Sequence, residues 1–237
     1  MDMFKFFGRR KGRKIRKAKT SLLERFLPQV KVKQGEKIAP EMFGAKVEKM
    51  CLEIGFGGGE HLAGVSLMYK DTGFVGAEVF QNGVANLLSL MTGIKQNSEV
   101  EQTIKLLPKR VDNVRIYDDD VRELFALVED DTFDMVYLLF PDPWPKNRHA
   151  SRRFVNPDNI KELARIIKKG GKLLIATDHP IYKRWVLRQM SGSKFFEWTA
   201  KCGNDWRYPP ADWVETKYQQ KAIREGRRPV FFEYKRV

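Results

Sequence analysis

The sequence predicts an α/β fold in which helices cover both faces of a mostly parallel, doubly wound sheet, and an antiparallel hairpin closes its C-terminal edge. Three observations predict this arrangement. Five short apolar runs follow one another through residues 50–177, segments with helical spacing separate them, and two later strand-like runs have no long helix between them. Alternating strands and helices are typical of a parallel sheet wound on both sides.

The five apolar runs are the expected parallel strands, and they cover residues 50–54, 73–76, 113–117, 133–139 and 172–177. The connecting helices are predicted from apolar residues at intervals of three and four. These residues form three groups: Phe80, Val84, Leu87, Leu88 and Met91; Val121, Leu124, Phe125 and Val128; and Ile160, Leu163, Ala164 and Ile167. The expected C-terminal hairpin joins residues 194–198 to residues 230–234.

The charge of the chain is concentrated at its N-terminus. The net charge is +14, and residues 1–37 contain 13 Lys/Arg against three Asp/Glu. We expect a basic, flexible arm over residues 1–37 and one globular domain over residues 38–237. A basic arm on a nearly neutral domain favours a polyanionic partner, and a solvated tail without a partner is the alternative.

Other classes of protein are disfavoured by composition. No apolar stretch reaches the 18–20 residues of a membrane span, so we expect no membrane association. The chain has two cysteines, Cys51 and Cys202, far apart in sequence, which fits a reducing cytoplasm better than a disulfide framework. The three histidines do not lie near cysteines at ligand spacing, so we expect no metal site.

A glycine loop follows the first predicted strand. The spacing from Gly55 to Gly59 is G-x-G-G-G, and it differs from the G-x-G-x-x-G pattern that binds a pyrophosphate. Glu53 precedes the first glycine, where a carboxylate would repel a pyrophosphate but could hold a methionyl ammonium group. The loop therefore favours S-adenosylmethionine over a dinucleotide, with the backbone of Gly55 and Gly57 close to the ligand. A tight turn without a ligand is the alternative.

Acids also end the next two predicted strands. Glu78 ends the second strand and could accept both ribose hydroxyls, whereas Asp119 follows the third and could accept an adenine amino group. We expect the neighbouring Asp120 to cap the following helix, because Asp is favoured at N-caps. We expect the same capping role for His179, which follows the fifth strand. Acids at the ends of three adjacent strands predict one ligand crevice.

The loop after the fourth strand reads FPDPWPKNRHASRR over residues 140–153. It places the carboxylate of Asp142 beside the indole of Trp144. Four cations follow within ten residues: Lys146, Arg148, Arg152 and Arg153. An acid next to an aromatic ring with a basic rim suits a site for a nucleobase and its phosphates. A proline-rich turn with solvated charges is the alternative.

With these motifs in place, the chain resembles the bacterial tRNA (guanine-N7-)-methyltransferase family of the TrmB type. The matching segments run in family order: LEIGFGGGEHL, GAEVFQNGV, PDPWPKNRH, RRFV, ATDHPIY and TKYQQKAIREGR. The combination of PDPWPK with a downstream TKY segment is specific, and the glycine loop alone is not. The resemblance implies a class I, Rossmann-like methyltransferase fold.

The resemblance also implies an activity, namely methyl transfer from S-adenosylmethionine to N7 of guanine at position forty-six of the tRNA variable loop. It places four acids around the methyl donor: Glu53, Glu78, Asp119 and Asp142. Of these, Asp142 corresponds to the family's proposed catalytic acid. Contacts with the tRNA substrate are implied for Lys146, Asp178, Thr216, Lys217, Tyr218 and Gln219. The implied enzyme is cytoplasmic and metal-free, and either a monomer or a homodimer is compatible with the sequence.

The chain departs from the family pattern at three positions. The family usually has Glu where Gln219 stands, often Lys where Ser151 stands, and often Gly where Ala222 stands. Because an amide carbonyl still accepts a hydrogen bond, we expect Gln219 to alter affinity more than to abolish activity. The alternatives are a non-catalytic RNA-binding protein on a methyltransferase fold, a methyltransferase for another RNA base, and an NAD-dependent oxidoreductase.

Overall fold

The computed structural model describes residues 7–33, 35–94 and 112–237. Its seven-stranded sheet has the order β3-β2-β1-β4-β5-β7-β6. The strands have the following bounds: β1 Lys49–Ile54, β2 Thr72–Ala77, β3 Val114–Tyr117, β4 Phe133–Leu139, β5 Ile167–Thr177, β6 Phe196–Trp198 and β7 Val230–Arg236.

Strands β1 to β5 are parallel, while β7 runs antiparallel to both β5 and β6. The predicted mostly parallel sheet and its antiparallel C-terminal hairpin are thus confirmed. The strand order reverses direction at β1, which lies between β2 and β4. Such a switch point leaves a crevice beyond the carboxyl ends of the strands, where open α/β sheets bind ligands.

The helices lie between these strands. In the described part of the chain their bounds are α1 Lys17–Arg25, α2 Leu27–Val30, α3 Glu60–Met68, α4 Gln81–Thr92, α5 Val121–Leu124, α6 Pro157–Ile166, α7 Pro180–Ser191, α8 Asn204–Arg207 and α9 Lys217–Arg224. Short 3-10 segments occur at Pro40–Met42, Phe125–Leu127 and Asn147–Arg152.

Two predicted helices differ in extent from the observed ones. The apolar face at 121–128 is buried as expected, but α5 has only one turn and a 3-10 segment continues it to Leu127. The helical segment ends there, and the next residue, Val128, forms a bridge with Ile38. Ile167, predicted on the last turn of α6, is the first residue of β5 and pairs with Phe133. Strand β5 therefore begins five residues earlier than predicted, with an irregular pairing before Lys172.

Two apolar layers cover the sheet, one on each face. Neighbouring residues of β1 alternate between them: Cys51 packs with Leu22, Leu87 and Leu88, whereas Leu52 packs with the layer beneath α6 and α7. A strand that is buried on both faces appears in the sequence as a continuous apolar run. This is why β1 was predicted from an apolar run and not from alternating apolar and polar residues.

The basic arm differs from the flexible segment that we expected over residues 1–37. From Lys17 the chain forms α1, which packs against α4, and the side chains of Leu22 and Phe26 are buried. The helical spacing of Ala18, Leu22 and Phe26 indicates this helix. We did not predict it because the segment is rich in Lys and Arg, which is typical of flexible arms. Residues 1–6 and 34 of the predicted arm lie outside the described residues, and a domain boundary at residue 37 stays a prediction.

Within the described ranges, none of the helices combines the length and the apolar character needed to cross a membrane. In the same residues, no cluster of three or more His, Cys, Asp or Glu side chains is arranged to hold a metal ion. The thiol of Cys51 is buried in the core, and burial raises its pKa to about 12, whereas Cys202 is exposed.

Candidate functional site

A cavity of about 670 Å³ lies beyond the carboxyl ends of β1, β2 and β4. Its volume is within the usual range for small-molecule sites, about 300–1,000 Å³. Five of the six predicted cofactor residues line it: Gly55, Gly57, Glu78, Asp119 and Asp142. The crevice that the strand-end acids predicted is therefore present, and the sixth residue, Glu53, lies outside its lining.

The glycine loop leaves room above its backbone for a ligand. Gly55 has a φ of +66°, and a Cβ atom placed on it would meet nothing within 4 Å. On the opposite side the loop is tightly packed, because a Cβ on Gly83 of α4 would lie 2.1 Å from the carbonyl oxygen of Gly57. Glycine at position 83 allows the loop to pack closely against α4, and glycine at position 55 leaves the side of the loop that faces the cavity open to a ligand.

The carboxylate of Glu78 holds the glycine loop to the end of β2. Its Oε2 accepts a hydrogen bond from the backbone N–H of Gly57 at 2.7 Å, and its Oε1 accepts one from Phe80 at 2.8 Å. Burial raises the pKa of Glu78, backbone N–H groups oppose the shift, and the charge of Asp142 adds to it. Each carboxylate oxygen can accept a further hydrogen bond, so Glu78 fits a ligand with two adjacent hydroxyl groups.

Glu53 does not line the cavity and pairs with a histidine. The side chains of Glu53 and His61 are each 2% exposed, and Nδ1 of His61 is 2.8 Å from Oε2 of Glu53. The ring of His61 also packs against Tyr137 and Trp213, with centroids 4.8 and 4.9 Å apart. His61 was not among the residues predicted from the sequence, although its position at the start of the helix after the loop was a usable signal.

Thr216 and Gln219 are buried in the structure and do not line the cavity. The hydroxyl of Thr216 caps α9 by accepting a hydrogen bond from the backbone N–H of Gln219 at 3.1 Å. The carbonyl oxygen of Gln219 accepts a hydrogen bond from the indole of Trp213. This geometry differs from the predicted contact with the base, and it explains the departure at this position, because an amide and a carboxylate can both accept from an indole N–H.

Lys217 and Tyr218, which stand between Thr216 and Gln219 in the sequence, make different contacts. Lys217 makes an ion pair with Glu60 at 2.8 Å, at the start of α3. Tyr218 lines the cavity, and its ring lies 2.9 Å from the position that a Cβ on Gly57 would take. Burial raises the pKa of Tyr218, and the charges of Glu78 and Asp142 raise it further. Tyr218, predicted as a substrate contact, therefore lines the same cavity as the residues predicted to hold the cofactor.

Asp142 faces the cavity from the loop after β4. Within the described residues it makes no hydrogen bond and no ion pair, and burial raises its pKa. The same loop holds two bulky residues in the left-handed region, Phe140 at a φ of +51° and Trp144 at +40°. Such conformations are strained for large side chains and concentrate at functional sites.

Arg153 clamps this loop from below, whereas we had predicted a phosphate contact. The side chain is 4% exposed, and its guanidinium donates to the carbonyl oxygens of Pro143 and Trp144 at 2.9–3.3 Å. It also stacks over the ring of Trp185, 4.5 Å from the centroid. These donors are engaged inside the protein, so Arg153 shapes the loop that carries Asp142.

We expect Arg153→Ala to lower the free energy of unfolding by about 2 kcal/mol, because it removes a buried side chain and leaves two partly buried carbonyl groups without donors. Urea titration followed by circular dichroism measures this change. Arg148→Ala is the matched control, since Arg148 is exposed and we expect its removal to cost less than about 0.5 kcal/mol. Equal losses in the two variants would contradict the clamp.

Residues near the N-terminus cross the cavity mouth, which the sequence analysis did not foresee. Phe7, Gly8 and Arg9 line the cavity, and Arg10 makes an ion pair with Asp119 at 2.7 Å. The arm is anchored beyond this point, where Asn82 accepts from the backbone N–H of Gly12 at 2.8 Å. Asp119 is therefore placed in the predicted crevice, but a basic residue of the arm already contacts it.

Aromatic and cationic groups bracket the indole of Trp144. The ring of Phe7 lies 6.4 Å from it, and Arg152 lies over both rings, 4.4 Å from the Phe7 centroid and 5.0 Å from that of Trp144. His149 packs edge-on at 5.8 Å. These contacts favour a role for Trp144 in bracing the loop.

Two further predicted substrate residues, like Thr216, Lys217 and Gln219, are not part of the cavity lining. Lys146 is exposed and precedes the 3-10 segment Asn147–Arg152, and Asp178 makes an ion pair with Arg227 at 2.5 Å. The two predicted caps are confirmed. Asp120 accepts from the backbone N–H of Arg122 at 3.0 Å, and His179 accepts from Ile181 at 3.3 Å.

The chain is similar in sequence to known methyltransferases. Residues 47–231 match the family described as "Putative methyltransferase". The tRNA (guanine-N(7)-)-methyltransferase of Rhodospirillum rubrum is 38% identical over 238 residues, which cover 98% of this chain and 88% of the relative. The enzyme of the same name from Paramagnetospirillum magneticum is 40% identical over 236 residues, covering 98% and 92%.

Solved structures share the fold at low sequence identity. An antibiotic-related methyltransferase superimposes with a TM-score of 0.54 at 16% identity, covering 87% of this chain and 99% of that one. A mutant 16S rRNA (adenine(1408)-N(1))-methyltransferase with its cosubstrate SAM, from Catenulisporales acidiphilia, superimposes with a TM-score of 0.54 at 14% identity, covering 88% and 97%. These likenesses agree with the sheet order and with a Rossmann-like fold.

Proposed function

The chain belongs to the tRNA (guanine-N(7)-)-methyltransferase family, and from this we propose that it transfers a methyl group from S-adenosylmethionine to N7 of guanine in tRNA. We further propose that the target is position forty-six of the variable loop and that the enzyme acts in the cytoplasm without a metal. The observation that carries the proposal is the position of Asp142, which faces the same cavity as the glycine loop and Glu78.

The residues of the cavity fit S-adenosylmethionine. The carboxylate of Glu78 suits the two ribose hydroxyls, and Asp119 suits the adenine amino group once Arg10 releases it. The open side of Gly55 allows the ligand to approach the backbone closely. Glu53 lies next to the cavity and adds negative charge near the expected ammonium group, through a carboxylate that His61 holds in place.

The reaction requires positioning and charge stabilisation rather than a strong base. N7 of guanine carries an exposed lone pair, so no proton has to leave before the attack. S-adenosylmethionine, when bound, supplies the electrophilic methyl group. Because the purine gains positive charge during the transfer, the carboxylate of Asp142 stabilises it, or it orients the guanine by accepting hydrogen bonds from its amino and imino groups.

Substrate contacts are proposed on both sides of this cavity. Lys146 and Lys217 carry exposed ammonium groups that suit phosphates, and Tyr218 lies where it can contact both the cofactor and the base. Asp178 is a candidate contact as well, provided that its ion pair with Arg227 opens when the substrate binds. For Thr216 and Gln219 we propose an indirect role, because both are buried and support α9.

The function is tested by transfer of labelled methyl from S-adenosylmethionine to unmodified tRNA, followed by nucleoside analysis. We expect N7-methylguanosine confined to the variable loop. Another methylated nucleoside would contradict the proposed base specificity. No transfer by a protein that binds tRNA tightly but does not bind S-adenosylmethionine would instead favour a non-catalytic RNA-binding role.

A further inference from the structure

A second cavity, of about 630 Å³, lies on the other side of the loop that carries Asp142. Arg153 lines both cavities, so the two are neighbours and share a side chain that also holds the loop carrying Asp142. The rest of the groove comes from α7 and from the 3-10 segment Asn147–Arg152: Asn147, Arg184, Trp185 and Arg188. The groove thus begins where the first cavity ends.

The groove has a strongly positive rim. Arg184 and Arg188 are both exposed, and their i, i+4 spacing places them on one face of α7. Among the residues that the structure describes, neither guanidinium makes an ion pair with a carboxylate. Neither α7 nor the segment Asn147–Arg152 contains an Asp or Glu. Like charges at this spacing repel each other and destabilise a helix. An anion bound beside both arginines would remove this repulsion, so the pair favours an external anionic partner.

Between the two arginines lies a fixed aromatic ring. The indole Nε1–H of Trp185 donates to the carbonyl oxygen of Val155 at 2.6 Å, and the guanidinium of Arg153 stacks over the ring. The ring therefore has one orientation, and its partly exposed part lies in the groove. Guanidinium groups beside an ordered aromatic surface are typical of sites that bind single-stranded RNA.

We propose that this groove binds the sugar–phosphate backbone of the RNA strand next to the guanine that enters the first cavity. Arg184 and Arg188 contact phosphates, while Trp185 provides an apolar surface for a ribose or an adjacent base. That the RNA is a tRNA rests on the proposed function. The position and the charge of the groove are features of the structure and do not depend on that function. Arg153 is not assigned a phosphate contact, because its Nε and Nη2 donate to the carbonyl oxygens of Pro143 and Trp144.

The test is the double variant Arg184→Ala, Arg188→Ala, measured for binding to unmodified tRNA over a range of salt concentrations. We expect the Kd for tRNA to rise about tenfold and the slope of log K against log salt to fall by about one to two, since each phosphate contact releases about one counterion. The Kd for S-adenosylhomocysteine and the melting temperature are expected to match those of the wild type.

The matched control is Lys70→Ala, Lys169→Ala, which removes two exposed positive charges before β2 and at the start of β5, at the opposite edge of the sheet. We expect this variant to bind tRNA as the wild type does. A control that loses as much affinity and salt slope as the groove variant would overturn the proposal, because net charge alone would then explain the loss.

A second RNA separates backbone contacts from base contacts. In this tRNA, adenine replaces the target guanine, and we expect the groove variant to lose the same factor in affinity for it. A loss confined to the guanine-containing tRNA would overturn the proposal, and so would wild-type affinity and slope for both RNAs. Failure of the proposed function would give a different result. The wild-type protein would then form no N7-methylguanosine, and the binding measurements on the groove variant would not be affected by this outcome.

Discussion

Asp142→Ala is expected to lower kcat for methyl transfer to tRNA about a thousandfold, because the variant loses a carboxylate placed where positive charge develops on the purine. The Kd for S-adenosylhomocysteine is expected to change less than about threefold, since Asp142 makes no hydrogen bond to the glycine loop or to Glu78. Single-turnover kinetics and isothermal titration calorimetry measure the two quantities. Full activity in this variant would rule out the assigned role.

Asp142→Asn distinguishes the two roles of the carboxylate. An asparagine keeps one oxygen that accepts hydrogen bonds but has no charge, so it preserves part of the orientation and none of the charge stabilisation. If the charge matters most, the asparagine variant is as slow as the alanine variant. If orientation matters most, we expect its kcat to recover by about tenfold or more over the alanine variant.

The pH dependence of kcat/KM provides a second measure of Asp142. Burial raises its pKa, so the carboxyl group becomes neutral at a higher pH than an ordinary aspartate, whose pKa is about 3.9. Activity is therefore expected to be present above the raised pKa and to be lost as the pH falls through it. The asparagine variant should lack this acid limb, and an unchanged limb would assign it to another group.

Glu78→Ala is expected to raise the Kd for S-adenosylhomocysteine by at least about a hundredfold. The carboxylate is placed to accept two ribose hydroxyls, hydrogen bonds to a charged group contribute about 1.5–3 kcal/mol each, and the same side chain holds the N–H of Gly57. Calorimetry should show a similar loss for methylthioadenosine, which keeps the ribose but lacks the amino acid end.

Glu41→Ala is the control for Glu78, because Glu41 is an exposed acid in the 3-10 segment Pro40–Met42, which does not line the cavity. We expect cofactor binding in this variant to match the wild type. A loss limited to S-adenosylhomocysteine in the Glu78 variant would contradict a ribose contact and would place Glu78 at the amino acid end of the ligand.

The sequence predicted most of the residues that line the first cavity because they belong to local motifs. The glycine loop, Glu78, Asp119 and Asp142 each follow directly on a strand, and parallel strands bring their carboxyl ends to one edge of the sheet. The order of elements and the fixed direction of parallel strands are therefore enough to gather these residues. The two helix caps at Asp120 and His179 were predictable for the same reason, since capping involves residues only two or three positions apart.

Side-chain orientation was less predictable at the edges of the site. Arg153 and Arg152 are adjacent in the sequence, yet Arg153 is buried under the loop while Arg152 lies over Trp144 at the cavity. Gln219 and Tyr218 are also neighbours, and only Tyr218 lines the cavity. Successive residues of a helix or turn point in different directions, so a motif identifies the segment and its geometry decides which members reach the ligand.

The sequence by itself determined the fold class, the glycine loop after the first strand and the place of Asp142 after the fourth, because periodicity and strand-end motifs are local properties of the chain. Only the tertiary structure decided the long-range pairings, which join positions far apart in sequence: Arg10 with Asp119, Asp178 with Arg227, and Trp213 with His61. It also decided that α1 packs against α4 and that α7 borders the basic groove. These contacts depend on how the layers of the sheet pack, which no local pattern specifies.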